Sequence, residues 1–160
     1  ESLKNALYRI KKNCGKNFMK KVLIDLNIIL DFLNKRNFHE EAANIINMCV
    51  EKKLSGFIAA HEITTLSYFL LKEKKDKNKA ADIISALLDM FNIIPIDEKI
   101  LREALFSPVK DYEDAVIEVS SVKNSIDYII SRNLGDFKSA RVQVFTPEQF
   151  FIKVSNSYID

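Results

Sequence analysis

Four aspartates stand where side chains can meet over a ligand. Asp25 directly follows the short apolar run KVLI (21–24), and Asp136 follows YIIS (128–131) by a few residues, in SRNLGDF. Asp111 and Asp114, in KDYEDAVI, straddle the start of a predicted helix three residues apart. That spacing sets both on one helical face, near the positive end of the helix dipole. Carboxylates gathered into one hollow repel each other strongly unless a divalent cation neutralises them. A ligand set made only of oxygen selects Mg2+ or Mn2+ over zinc. Each residue also has a plainer reading: Asp25 as a strand end, Asp111 or Asp114 as a helix N-cap, Asp136 as a turn cap beside Gly135. Asp97, after IIPI and before Glu98, reads as a cap.

The elements around these acids decide whether they can converge. KVLI (21–24), FIAA (57–60), IIPI (93–96), YII (128–130) and VQVF (142–145) read as short buried strands. Helical spacing separates most of them: Ile28, Ile29, Phe32 and Leu33, then Ala42, Ala43, Ile46, Cys49 and Val50, ended by Gly56. Further helices are predicted over about 62–72, 80–90, 100–105 and 115–122, with the charged run KEKKDKNK (72–79) as a solvated loop. Strands alternating with helices predict a three-layer α/β/α sandwich around a mostly parallel sheet of about five strands. In such sheets the ligand crevice lies beyond the carboxyl ends of the strands, where Asp25 and Asp136 fall.

Composition sets the outer bounds. The chain has 160 residues, 48% hydrophobic and 29% charged, which suits one globular domain, and three Gly with three Pro exclude collagen-like or linker-rich architecture. No apolar run approaches the ~20 residues that span a bilayer and no signal-peptide pattern opens the chain, so it reads as cytoplasmic and not membrane-bound. Cys14 and Cys49 are too few for a disulfide framework or a thiolate zinc site, and read as reduced thiols. The 24 basic and 22 acidic residues give +2; with four acids gathered in a pocket, 24 against 18 leave +6 elsewhere, a split suited to a negatively charged polymer. Residues 1–18 hold Lys4, Arg9, Lys11, Lys12 and Lys16 against Glu1, with a helical stripe of Leu3, Leu7, Ile10 and Cys14. They read as a basic N-terminal extension or a remnant foreign to the fold, and residues 19–160 as the domain.

Five segments in order, KVLIDLNIILDFL (21–33), GFIAAHEITTLSYFLLK (56–72), KDYEDAVIEVSS (110–121), DYIISRNLGDF (127–137) and VFTPEQF (144–150), carry a family resemblance. On them the chain resembles the PIN domains, small metal-dependent ribonucleases that serve as the VapC-like toxins of VapBC-type toxin–antitoxin pairs. It is most similar to the subgroup that writes D-[FY]-E-D-A before its third acidic helix. The resemblance implies Asp25 as the first metal ligand with Asn27 orienting it, Asp114 as the central ligand with Asp111 beside it, and Asp136 completing the pocket with Ser131 and Asn133 in support. The family's second acid falls near Thr65 here, and Glu62, one turn earlier on the same face, is its candidate replacement or a plain first-turn acid.

The chemistry so implied is hydrolysis of RNA phosphodiesters by a water activated on Mg2+ or Mn2+, with a second ion near Asp111 or Glu62 assisting the leaving oxygen. Arg132, Lys110 and Lys138 become candidates for phosphate contacts, while His39 and His61 read as surface or capping residues. The expected partners are RNA, an antitoxin protein and a second copy of the chain, docked through the apolar helices at 28–33 and 45–50, which read equally as core. Two rivals stand beside the nuclease. One is a PIN-fold binding module weakened by the missing acid at Thr65. The other is an aspartyl-dependent phosphatase, disfavoured because its D-x-D motif is replaced by Asp25-Leu26-Asn27.

Overall fold

The structure is a computed structural model and describes residues 19–156; the basic segment 1–18, with Cys14, lies outside the described residues. Five strands, β1 (Lys21–Ile24), β2 (Ser55–Ala59), β3 (Asn92–Ile94), β4 (Tyr128–Ile130) and β5 (Gln143–Phe145), form one sheet in the order β3-β2-β1-β4-β5. All four pairings are parallel, with Val22 opposite both Gly56 and Tyr128. The helices are α1 (Leu26–Leu33), α2 (His39–Val50), α3 (Ala60–Lys74), α4 (Lys77–Met90), α5 (Glu98–Ala104), α6 (Tyr112–Lys123) and α7 (Pro147–Asn156).

Strand periodicity divides the core between two faces. Val22, Ile24, Ile58 and Ile130 pack on one side with Ile28, Ile45, Leu66, Leu70 and Phe150 from α1, α2, α3 and α7. Leu23, Ala59 and Ile129 pack on the other side with Ile117 of α6, beside a smaller cluster that joins α5 and α6 through Ile100, Val116 and Val119. Alternate residues of one strand thus serve opposite layers, which makes the three-layer sandwich that the element pattern predicted. Ile28, Ile29, Leu30, Ile45, Ile46 and Cys49 are all buried in that core. These six belong to the core, as the alternative reading of the two helices had it, whereas Phe32 and Leu33 are partly buried and Val50 is exposed. Burial pushes the Cys49 thiol up to about 12, so it stays an inert core group. Among the described residues no helix is long and apolar enough to cross a membrane.

Two local readings need correction. The charged run at 72–79 is mostly helix: α3 continues to Lys74, Lys75 takes left-handed φ of 50°, and Asp76 caps α4 by accepting from the Asn78 and Lys79 amides. Lysine and glutamate are good helix formers whose charges stay in water, so a solvated charge run does not itself break a helix. Gly56 lies inside β2 instead of ending the helix before it, because α2 already stops at Val50. The glycine is there for closeness: a Cβ would sit 2.8 Å from Cys49 Sγ and from Phe91 Cδ1. Gly56→Ala forces this overpacked contact into the support of β2, and is expected to cost about 1–3 kcal/mol in urea unfolding with no change in slope.

Candidate active site

The sheet order reverses at the β1–β4 pair. From β1 the chain moves outward through β2 to β3, then returns to the other side of β1 for β4 and β5. Loops leaving β1 and β4 therefore part in opposite directions and open a crevice at their carboxyl ends. Asp25 is the first residue past β1, its N–H bonded to Ile130 O at 3.0 Å. It precedes α1 yet makes no side-chain cap bond. Its carboxylate is instead held from two sides: from α1, Asn27 Nδ2 donates to Oδ2 at 2.8 Å, and from the end of β4, Ser131 Oγ donates to the same oxygen. Asn27 Nδ2 also lies 3.3 Å from Ser131 Oγ. Asp25 is 7% exposed. Burial raises its pKa, against the hydrogen bonds from Ser131 and Asn27 that favour its charged form.

Glu62, only 1% exposed, does the capping that Asp25 leaves undone. Its Oε1 accepts from Leu26 N, the first amide of α1, at 2.7 Å, and its Oε2 accepts from Ala59 N at 3.2 Å, tying the end of β1 to the start of α3. Burial and then the charge of Asp25 push its pKa well up, so of this pair Glu62 is the one that holds a proton. Thr65, where a second acid was expected, turns its hydroxyl back to His61 O at 3.2 Å.

Across the crevice, Asp111 is the N-cap of α6 and accepts from Asp114 N at 3.1 Å, which settles which of the two caps. Asp114 itself occupies the first turn. Its pKa is raised to about 7 by burial first, then by the charges of Asp25, Asp111, Asp136 and Glu113. That influence brings acids from the ends of β1 and β4 and from α6 into one electrostatic neighbourhood. Asp136 accepts from Asn133 Nδ2, and Asn133 N donates to Ser131 Oγ at 3.0 Å. Glu113, not singled out in the sequence, belongs here too: burial, Asp111 and Asp25 all raise its pKa. Its signal was present in D-Y-E-D, beside two acids already chosen.

Several candidates stand elsewhere. The Arg132 guanidinium is taken up by Asp31 and Glu148. His39 stacks on Phe32 with ring centroids 5.5 Å apart and bonds Phe32 O at 2.9 Å. His61 is not the surface or capping group expected. Among the described residues both its ring nitrogens are buried without a hydrogen-bond partner, and burial lowers its pKa, so it is neutral. The reason is that α3 starts at Ala60, two residues before the predicted start, and draws His61 into its first turn. Lys110 and Lys138 are exposed. Asp97 caps α5, accepting from Ile100 N at 2.8 Å.

A family model described as a PIN domain matches residues 21–135. The chain belongs to the PIN domain family. The match runs from β1 through β4 and stops one residue before Asp136. Solved structures of similar fold include FitAcB from Neisseria gonorrhoeae, 20% identical with a TM-score of 0.62, covering 79% of this chain and 98% of that one. A toxin–antitoxin complex from Klebsiella pneumoniae is 21% identical, with a TM-score of 0.61, covering 79% and 97%. VapBC2 from Rickettsia felis, bound to a DNA fragment from its promoter, is 16% identical with a TM-score of 0.61, covering 78% and 97%. No curated protein sequence matches the chain.

In this PIN domain the donor chemistry fits a hard dication, because the residues gathered here are carboxylates, and burial together with their repulsion raises the pKa of Asp114 to about 7. Among the described residues, however, no three such groups already enclose an ion-sized space. Both Glu62 oxygens and one Asp111 oxygen are committed to backbone amides. The raised pKa has a consequence for stability. With a value near 7 folded and 3.8 unfolded, Asp114 binds more proton in the native chain between about pH 4 and 7, so its contribution is lost as pH rises through that window. In chelator, Asp114→Asn should therefore raise the melting temperature relative to wild type more at pH 8 than at pH 4.5. An equal difference at both values removes this account.

Proposed function

We infer that the chain is a divalent-metal-dependent endoribonuclease, the toxin of a toxin–antitoxin pair. The observation that carries this reading is that Asp25 and Asp136, on the loops after β1 and β4, both lie near enough to Asp114 in the first turn of α6 for their charges to add to burial in raising its pKa. PIN domains generally use divalent metals, and VapC-like members are nucleases. Asp25, Asp114 and Asp136 would hold Mg2+ or Mn2+, with Asp111 beside them. When bound, the ion supplies Lewis acidity that acidifies a water and offsets charge on the phosphate oxygens. The chain's own part is to aim the ligands. Ser131 and Asn27 favour the charged form of Asp25 against its burial and fix its Oδ2. The first turn of α6 points its positive dipole end at Asp114. Asn133 orients Asp136. Glu62 holds the backbone at the mouth of the site and is not counted among the ligands.

The antitoxin expectation is supported by the fold's likeness to chains from toxin–antitoxin complexes. A homodimer, also expected, would need surfaces other than the buried faces of α1 and α2. One observation favours a binding module instead: the hydroxyl of Thr65, in place of the second acid, is spent on its own helix. Cleavage of a single-stranded RNA decides between them. It should require Mg2+ or Mn2+, cease in EDTA, and fall by about 100-fold or more in Asp25→Asn and in Asp114→Asn. RNA bound but left intact in Mn2+ selects the binding module, and phosphate released from small phosphomonoesters selects the phosphatase.

A further inference from the structure

Three consecutive residues after β4 link the two sides of the crevice. Ser131 Oγ donates to Asp25, and Asn133 Nδ2 donates to Asp136. Between them, at a bend in the chain, stands Arg132, whose own side chain is held by other partners. Its Nε donates to Asp31 Oδ2 at 2.7 Å, its Nη1 to Glu148 Oε1 at 3.1 Å, and its Nη2 to Phe38 O at 3.4 Å. The guanidinium lies 3.7 Å from the centre of the Phe38 ring. Its side chain is 17% exposed and that of Asp31 8%. One planar fork thus ties the β4 loop to α1, to the residue before α2, and to the first turn of α7. A lysine offers a point charge and cannot make this set of contacts.

The backbone of the same residue faces the crevice. Arg132 N donates to Asn27 Oδ1 at 3.2 Å. An asparagine amide has one acceptor end and one donor end. Holding Oδ1 on Arg132 N turns Nδ2 towards Asp25 and Ser131, which it reaches at 2.8 and 3.3 Å. We propose that Arg132 is a positioning residue of the acidic crevice: its clamped side chain fixes its own amide on Asn27, and through Asn27, Ser131 and Asn133 it sets the carboxylates of Asp25 and Asp136. It replaces the phosphate contact expected of this arginine. α7 thereby takes part in the site through Glu148, although it lies beyond the stretch matched by the family model. The proposal rests on the nuclease reading for its effect on metal binding, but not for its effect on Asn27.

The test compares wild type with Arg132→Met, Arg132→Lys and Glu148→Gln by three readouts: the Asn27 side-chain amide resonance, the Mn2+ dissociation constant by calorimetry, and affinity for single-stranded RNA in chelator. In Arg132→Met the Asn27 resonance should shift and exchange faster, and Mn2+ should bind about 10- to 100-fold more weakly, as for lost outer-shell partners. RNA affinity in chelator should stay within about twofold, and Arg132→Lys should recover only part of the Mn2+ loss. Glu148→Gln keeps the Asp31 pair and should move Asn27 and Mn2+ binding the same way by less, so it decides the question if Arg132→Met does not fold. An Asn27 resonance unchanged in the folded variants overturns the proposal, as does a loss of RNA affinity with Asn27 and Mn2+ binding intact, which would restore the phosphate contact. Should wild type bind no Mn2+, the nuclease reading falls, and the Asn27 resonance alone still decides this one.

Discussion

Negative charges crowded into a half-buried crevice repel each other, and much of this fold exists to hold them there nonetheless. The repulsion is visible in Asp114, whose proton affinity rises by several orders of magnitude through burial and the charges of Asp25, Asp111, Asp136 and Glu113. Four of the acids are given donors that keep them in place. Asp25 receives a hydroxyl and an amide, Asp136 an amide, Asp111 the backbone of its own helix and Glu62 two backbone amides. Such bonds limit how far these carboxylates can turn, although among the described residues no three of them yet enclose an ion-sized space.

The division of labour between Asp25 and Glu62 is the clearest case. An aspartate just before a helix ordinarily caps it, which would turn its oxygens onto backbone amides. Here Glu62 reaches from α3 to the first amide of α1, 36 residues away in sequence, and Asp25 makes no side-chain cap bond of its own. A carboxyl that is 1% exposed and next to another acid is costly as an anion, and Glu62 spends both of its oxygens on backbone amides. Glu118 follows a related logic on α6. Fully buried, it has its pKa lowered by Arg141 and Ser107, and it ties the loop before the helix that carries Asp114 to the connection between β4 and β5.

Much of the architecture was legible from local pattern. β1 and β4 are where KVLI and YII placed them, because a short buried strand must be an apolar run ended by a polar break. The sandwich followed from alternation, since parallel strands need helical crossovers. Less legible were Gly56, whose role is an approach of β2 to Cys49 and Phe91 that no local rule encodes, and the run at 72–79, where solubility resembled a loop. The acids themselves were found at strand ends and helix starts. Glu113 was passed over because two neighbours in D-Y-E-D already filled the pattern, and His61 because helix starts are read only to within a few residues.

The amino-acid sequence by itself determined the element types, the layer order and the short list of acids, for these depend on periodicity and on which residues flank each strand. Only the tertiary structure decided what each charged group does. Arg132 meets Asp31 across 101 residues and Glu148 across 16, Glu62 meets Leu26 across 36, and Ser131 meets Asp25 across 106. Whether a carboxyl becomes a cap, a clamp or an open ligand turns on which donors reach it first, and donors that distant in the chain are delivered by strand order and helix packing. Spacing can nominate such a group, but the folded crevice assigns its part.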